Sequence, residues 1–291
     1  MVGQDLQGLT APRRAGAGAL LGPATAAVVV GLLAPLAILF RYSLNRFVPG
    51  RLMVEALTLE NYMKFFTDPY YVAVLVRTVR VAGICMVICL VAGFPLAYAL
   101  ARTQSRWKSA LVMLVVLPLF VGSAVRAAGW MVMFGSRGLL NTLLGAVGLI
   151  DRPLQIMYTE AAVIIGITAV NLPFMVLTLE SVIEGIDPVI EEAAASLGAP
   201  PHQVFRRVIL PLAMPGVLAG TILVFILAMN AYATPILLGG PRFQMMGPVV
   251  YGQFAGQNNW PFGAALSFIL MTATLSLSAV SNFLVQRRYR R

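Results

Sequence analysis

The sequence predicts an all-α, polytopic membrane protein of about six transmembrane helices. Three observations predict it. Of its 291 residues, 59% are hydrophobic and 11% are charged, whereas soluble domains carry about a quarter charged residues. Six apolar runs reach the roughly 20 residues a helix needs to cross a bilayer. The 21 Lys and Arg residues gather mostly at the ends of those runs, where they set topology.

The runs justify themselves in order. The first, Ala19–Phe40, follows Arg13 and Arg14. Its apolar part exceeds the roughly 7–15 residues of a signal-peptide core, so it reads as an uncleaved anchor. The second, Val72–Leu100, holds Cys85 and Cys89. Four residues apart, they share one helix face. No His or carboxylate stands nearby to complete a metal site, so they read as small buried residues. The third, Ala110–Phe134, contains Pro118 and Arg126. An intramembrane charge is costly and faces a cavity or a partner. The fourth, Ala161–Leu179, carries Asn171 and Pro173. The fifth, Ala213–Leu238, carries Gly216, Gly220, Asn230 and Tyr232. Gly216 and Gly220 form a small-xxx-small pair suited to close helix packing. The sixth is Phe262–Val285. None shows the strict alternation of a membrane β-strand.

The net charge of +10 follows from topology. No basic stripe is interleaved with exposed aromatics, which argues against nucleic acid as a partner. One side holds eleven basic residues: Arg13, Arg14, Arg102, Arg106, Lys108, Arg206, Arg207, Arg287, Arg288, Arg290 and Arg291. The other holds seven: Arg41, Arg46, Arg51, Lys64, Arg137, Arg152 and Arg242. The bias places both termini in the cytoplasm. The organisation expected is a cytoplasmic tail over 1–18, a six-helix domain over 19–285 with a cytoplasmic loop at 183–212, and a basic cytoplasmic tail over 286–291. Arg77 and Arg80 are expected to snorkel to the outer interface.

The cytoplasmic loop after the fourth run is the most specific segment. Asp187 suits an N-cap, Pro188 the first helical position, and Gly198 a stop, with Pro200 and Pro201 beyond it. Glu191 and Glu192 sit where the helix dipole favours negative charge. Ile190, Ala193, Ala194 and Leu197 make an apolar stripe. So short a helix is marginal in water and needs a groove to lie in. Its acidic polar face has the wrong sign for an anionic inner leaflet.

Glu192-Ala193-Ala194, then Gly198, then Val208-Ile209-Leu210-Pro211 resembles the EAA signature of ABC import permeases. Further segments are similar to the polyamine-type branch of that family. They are Gly93-Phe94-Pro95-Leu96-Ala97-Tyr98, Leu172-Pro173-Phe174, Leu237-Leu238-Gly239-Gly240-Pro241 and Trp260-Pro261-Phe262-Gly263. Leu117-Pro118, Gly129-Trp130 and Asn141 add to the likeness. The resemblance implies a type I importer permease fold in the bacterial inner membrane. It also implies a coupling helix, with Glu191, Glu192, Ala193, Ala194, Leu197 and Gly198 at the contact with a cytoplasmic ATPase. The other partners it implies are a periplasmic solute-binding protein and a second permease subunit, similar or identical, with a heterodimeric pore favoured. The solute it implies is a polyamine or a related opine, amino-acid-like or phosphonate compound.

No Walker motif occurs, so ATP hydrolysis falls to another chain and no cofactor or catalytic residue is expected here. The polar mid-span residues Asn171, Asn230 and Tyr232, with Arg126, are the candidates for a solute path. Interhelical hydrogen bonds are the equally good alternative for the two Asn and Tyr232. A neutral Asn230 sits poorly with a cationic solute. The rival reading is a self-contained secondary transporter or channel. Ion coupling would leave Asp, Glu or His at the midplane, and His202, the only histidine, lies in a loop.

Overall fold

Asp68, Thr159 and Asp187 each cap the start of the helix that follows them. The computed structural model describes residues 15–289. Helix α1 (Ala15–Ser43) is exposed along most of Thr25–Ser43, as a helix facing lipid is. It meets the bundle through an edge-on contact of Phe40 with Phe268, 5.3 Å between ring centres. A hairpin follows, β1 (Arg46–Val48) antiparallel to β2 (Leu52–Val54). It is a small exception to the all-α expectation. Helix α2 (Glu60–Thr67) closes the corner: buried Asn61 donates through Nδ2 to the carbonyls of Ser43 and Asn45, each at 2.8 Å.

Helix α3 (Pro69–Arg102) starts where the Asp68 carboxylate accepts from the Tyr70 N–H at 2.9 Å. Its 34 residues span about 51 Å, well beyond a hydrocarbon core of about 30 Å. Next come α4 (Lys108–Val116), a 3₁₀ turn over Leu117–Phe120, α5 (Ser123–Phe134) and α6 (Leu139–Ala146). The third run is therefore not one straight helix. It bends by 96° between Lys108–Phe120 and Ser123–Ala146. Pro118 sits at the 3₁₀ turn and Val121 has extended backbone. Helix α7 (Glu160–Glu184) is capped by Thr159, whose Oγ1 accepts from the Ala162 N–H. The loop after α7 folds into α8 (Pro188–Ser196), α9 (Pro201–Val204), a wide turn over Phe205–Ile209 and α10 (Leu210–Leu212).

Helix α11 (Met214–Met229) is shorter than the fifth run implies. It stops at Asn230, and Pro235 opens a separate wide turn over Pro235–Gly239. Hydropathy joins these pieces; the backbone separates them. Helices α12 (Met246–Tyr251) and α13 (Trp260–Tyr289) complete the chain. Helix α1 begins inside the expected N-terminal tail and α13 continues into the expected C-terminal one. Residues 1–14 and 290–291 of those tails, with Arg13, Arg14, Arg290 and Arg291, lie outside the described residues.

Side-chain contacts give the direction of each segment. Cys85 Sγ lies 3.6 Å from the Ile164 carbonyl, and Cys89 Sγ lies 3.6 Å from that of Thr168. The separation is 79 residues in both cases, so α3 and α7 run parallel. Arg80 pairs with Glu160 at one end of the bundle. Lys108 pairs with Glu184 at the other, at 2.8 Å. Residues 108–146 therefore belong to a stretch that must carry the chain across, so the 96° bend marks a broken span. Helix α11 runs opposite to α7. A Cβ at Gly216 would meet Val182, and one at Gly220 would lie 2.7 Å from Met175 Sδ. Without a hydrophobic force between helices in lipid, such close approach is what holds them. Arg77 and Arg80 do more than snorkel. Arg77 Nη1 donates to the Gln244 carbonyl at 3.3 Å, and its guanidinium faces the Phe243 ring.

Two buried clusters result. One, towards the Arg80–Glu160 end, joins α3, α7 and the segments after α11 through Val81, Ile167, Leu238, Met246 and Phe262. The other, towards Arg102, joins α3, α7 and the loop between α7 and α11 through Phe94, Ala97, Leu179, Ile183, Val204 and Ile209.

Candidate coupling surface and membrane cavity

Helix α8 has the ends its sequence specifies. The Asp187 carboxylate accepts from the Val189 N–H at 2.9 Å, and Pro188 occupies the first position. At the far end Gly198 has φ +81°. Its N–H reaches the Ala195 carbonyl at 2.9 Å, and the Ala199 N–H reaches that of Ala194 at 3.2 Å. That pair of bonds around a left-handed residue is the Schellman arrangement. Nothing lies within 4 Å of where a Gly198 Cβ would be. The glycine answers a backbone conformation, not a lack of space.

The apolar stripe divides between two surroundings. Ala194 is half-buried and packs on the inner cluster. Ile190, Ala193 and Leu197 face out, with Leu197 89% exposed. Val189 and Glu192 share that open side. The second half of the signature is an anchor. Ile209 is buried, Val208 and Leu210 pack beside it, and Phe205 meets Phe94 edge-on at 5.2 Å.

Glu191, one of the residues expected at the ATPase contact, is bonded within its own chain. Its carboxylate accepts from Arg102 Nε at 2.9 Å, from Arg102 Nη2, and from the Tyr98 hydroxyl at 2.7 Å. Arg102 Nη1 donates to the Ile186 carbonyl at 3.0 Å. The Arg102 and Glu191 side chains are only 18% and 15% exposed. Glu191 is committed to its own chain, because Arg102 leaves α3 at the level where α8 passes. Sequence reasoning counted Arg102 only as a topological charge and did not single out Tyr98 for this role. A Tyr and an Arg four apart at the end of a span, facing a spare glutamate, was the available signal.

Asn230 and Tyr232 line one cavity of about 380 Å³ between α11, α12 and α13, with Gly247, Val250, Ser267 and Thr274. Tyr232 packs against Tyr251 at 4.7 Å between ring centres. Asn230 Nδ2 donates to the Ile226 carbonyl at 2.8 Å, which leaves its amide oxygen available. Every polar group named in this wall is neutral. Asn171 is buried within α7 and Arg126 stands one turn into α5, and neither is part of the wall. Arg126 Nε and Nη1 are buried with no hydrogen-bond partner among the described residues. Among those residues no group of His, Cys, Asp and Glu could hold a metal ion.

Comparison with known proteins agrees with this architecture. Residues 69–291 match the family described as the binding-protein-dependent transport system inner membrane component. The spermidine/putrescine transport system permease protein PotB of Haemophilus influenzae is 40% identical over 235 residues, 80% of this chain and 82% of that protein. PotB of Escherichia coli is 41% identical over 213 residues, 73% of this chain and 77% of that one. Among solved structures, a bacterial alginate ABC transporter in complex with an alginate pentasaccharide-bound periplasmic protein has a chain that superposes with TM-score 0.79. The match covers 95% of this chain and 96% of that one at 17% identity, a likeness of fold. The chain therefore belongs to the inner membrane components of binding-protein-dependent transport systems, as a multi-pass permease subunit.

Proposed function

We propose that this permease takes its driving force through α8, which seats in a groove of a cytoplasmic ATPase. The observation that carries the reading is a short helix with both ends specified and an uncovered apolar side. Val189, Ile190 and Leu197 are 61%, 43% and 89% exposed. Such residues at the water-facing end of a membrane protein mark a docking surface. The ATPase-facing set is then Glu192, Ala193, Leu197 and the Gly198 stop, with Ala194 beneath them. A second permease completes the pore and a binding protein delivers solute, as the family's mode of transport requires. Both termini lie in the cytoplasm, with tails over 1–18 and 286–291 and a coupling loop over 183–212.

The solute proposed is small, and polyamine or related in kind, because the PotB relatives at 40% and 41% identity are named for spermidine and putrescine. The neutral wall of Asn230, Tyr232, Ser267 and Thr274 favours the amino-acid-like end of that range over a bare polycation. The test is co-purification with the ATPase in mild detergent. Leu197→Asp places a charge in the dock without disturbing any buried group, so the folded variant should lose the ATPase. Retention at the wild-type level would remove α8 from the interface.

A further inference from the structure

We infer that α3 is the strut by which α8 moves the wall of the membrane cavity, with Glu191, Arg102 and Tyr98 as its inner joint and Thr78 with Met246 as its outer one. The inference rests on the reading of α8 as the ATPase-docking helix.

The inner joint ties α8 to the end of α3 and to little else by charge. Two Arg102 nitrogens and the Tyr98 hydroxyl converge on the Glu191 carboxylate, and a third Arg102 nitrogen holds the Ile186 carbonyl just before the helix. Charge-assisted bonds from a planar guanidinium fix direction as well as distance. With both side chains largely shielded from water, the pair is little screened. A push on α8 therefore reaches Arg102 without slack.

The strut itself is one continuous helix. Pro95 removes a hydrogen bond near its inner end, yet Phe94, Ala97 and Leu100 around it are buried, so packing holds the line. Near the outer end Thr78 is fully buried. Its hydroxyl donates to the Val74 carbonyl at 2.8 Å and accepts from the Met246 N–H at 2.9 Å. Met246 is the first residue of α12. Two residues of that helix, Gly247 and Val250, line the cavity opposite Asn230. The connection runs unbroken from the docking helix to the cavity wall through named bonds, which is the physical form a coupling route takes. Glu191, Arg102, Tyr98 and Thr78 are positioning residues on this account.

The experiment uses the complete importer with its ATPase, second permease and binding protein, reconstituted in proteoliposomes. A Val250→Cys variant reports on the cavity through its rate of reaction with N-ethylmaleimide, with and without ATP and vanadate. The native thiols of Cys85 and Cys89 are buried and give a quiet background. Nucleotide should change the labelling rate in the Val250→Cys background. Glu191→Gln, Arg102→Gln and Thr78→Val should each shrink that change, by about tenfold for the inner joint, while the ATPase still co-purifies. The exchange Arg102→Glu with Glu191→Arg should recover part of the response, which a merely structural role would not. An unchanged response in Glu191→Gln and Thr78→Val overturns the strut. Loss of the ATPase in Glu191→Gln also overturns it, because Glu191 would then touch the ATPase itself. Failure of the wild-type chain to hold an ATPase is a different result: it removes the docking reading, and the strut with it.

Discussion

At Gly198 the backbone, not the surroundings, demands glycine. Its φ of +81° is open to Gly, tolerable for Asn, and strained by about 1–2 kcal/mol for other L-residues. No atom stands within 4 Å of a Cβ there, so steric clash contributes nothing. The order of damage should therefore follow conformational preference. Gly198→Asn should weaken ATPase binding least, Gly198→Ala by several-fold to about tenfold, and Gly198→Val most. Affinities of the purified ATPase for each variant in nanodiscs check this. An order that follows side-chain volume alone, with Asn worse than Ala, would point to a direct contact at that site. Arg102 makes a contrasting case. Replacing it strands the Glu191 carboxylate at 15% exposure. Loss of one partner of a shielded pair costs about 3–5 kcal/mol when burial is deep, and less here because some water remains. Arg102→Ala should lower the detergent melting temperature measurably more than Arg106→Ala, whose side chain is exposed and makes its described contact with the neighbouring Trp107 ring.

The helix pair α7 and α11 shows what the sequence could and could not convey about elements. The glycines at 216 and 220 announced a close approach, and the structure gives them partners in Val182 and Met175. Overpacking that seam should be destabilising. Gly220→Val should cost about 1–3 kcal/mol, read as a lower melting temperature in detergent. Gly83→Val on α3, where nothing lies within 4 Å, should leave it near the wild-type value. Four apolar runs became continuous helices, since their length and hydropathy suffice even with a proline or a polar residue inside. The breaks at Gly122 and Asn230 were not legible. A hydropathy sum has no direction, so it cannot register a 96° turn between two equally apolar pieces. Pro118 and Pro235 stand near the breaks, but Pro95 and Pro173 lie inside unbroken helices. Proline alone does not mark the bend. The caps of α8 were legible because Asp187 and Gly198 act on backbone within a few residues. The Arg102–Glu191 pair spans 89 positions, and no local rule reaches that far.

On the scale of the whole molecule, the ion pairs at the two ends of α3 and α7 fix how often the chain crosses. Arg80 with Glu160 and Lys108 with Glu184 mark opposite ends, so an odd number of crossings separates Lys108 from Glu160. Helix α11 then returns against α7, and α13 starts beside the outer end of α3, where Phe262 meets Tyr71 at 4.9 Å. Helix α1 ends at that same end, where Ser43 bonds Tyr62 at 2.8 Å. On this course each of the six segments crosses once, and the start of α1 and the end of α13 lie on one face. The orientation proposed above makes that face cytoplasmic, on the ground that Arg102, Arg106, Lys108, Arg206 and Arg207 lie towards it and basic clusters favour the cytoplasmic side. Gln104 and Asp151 test the assignment, because both are exposed in loops on opposite sides. In intact cells with a permeabilised outer membrane, an impermeant maleimide should label Asp151→Cys and spare Gln104→Cys. Inside-out vesicles should reverse the pattern, again over the silent background of two buried native thiols. Reversal in the opposite sense would invert the protein and place α8 outside, where no ATPase could reach it. Labelling of both positions from one side would mean that residues 108–146 turn back within the membrane, contrary to the parallel course of α3 and α7.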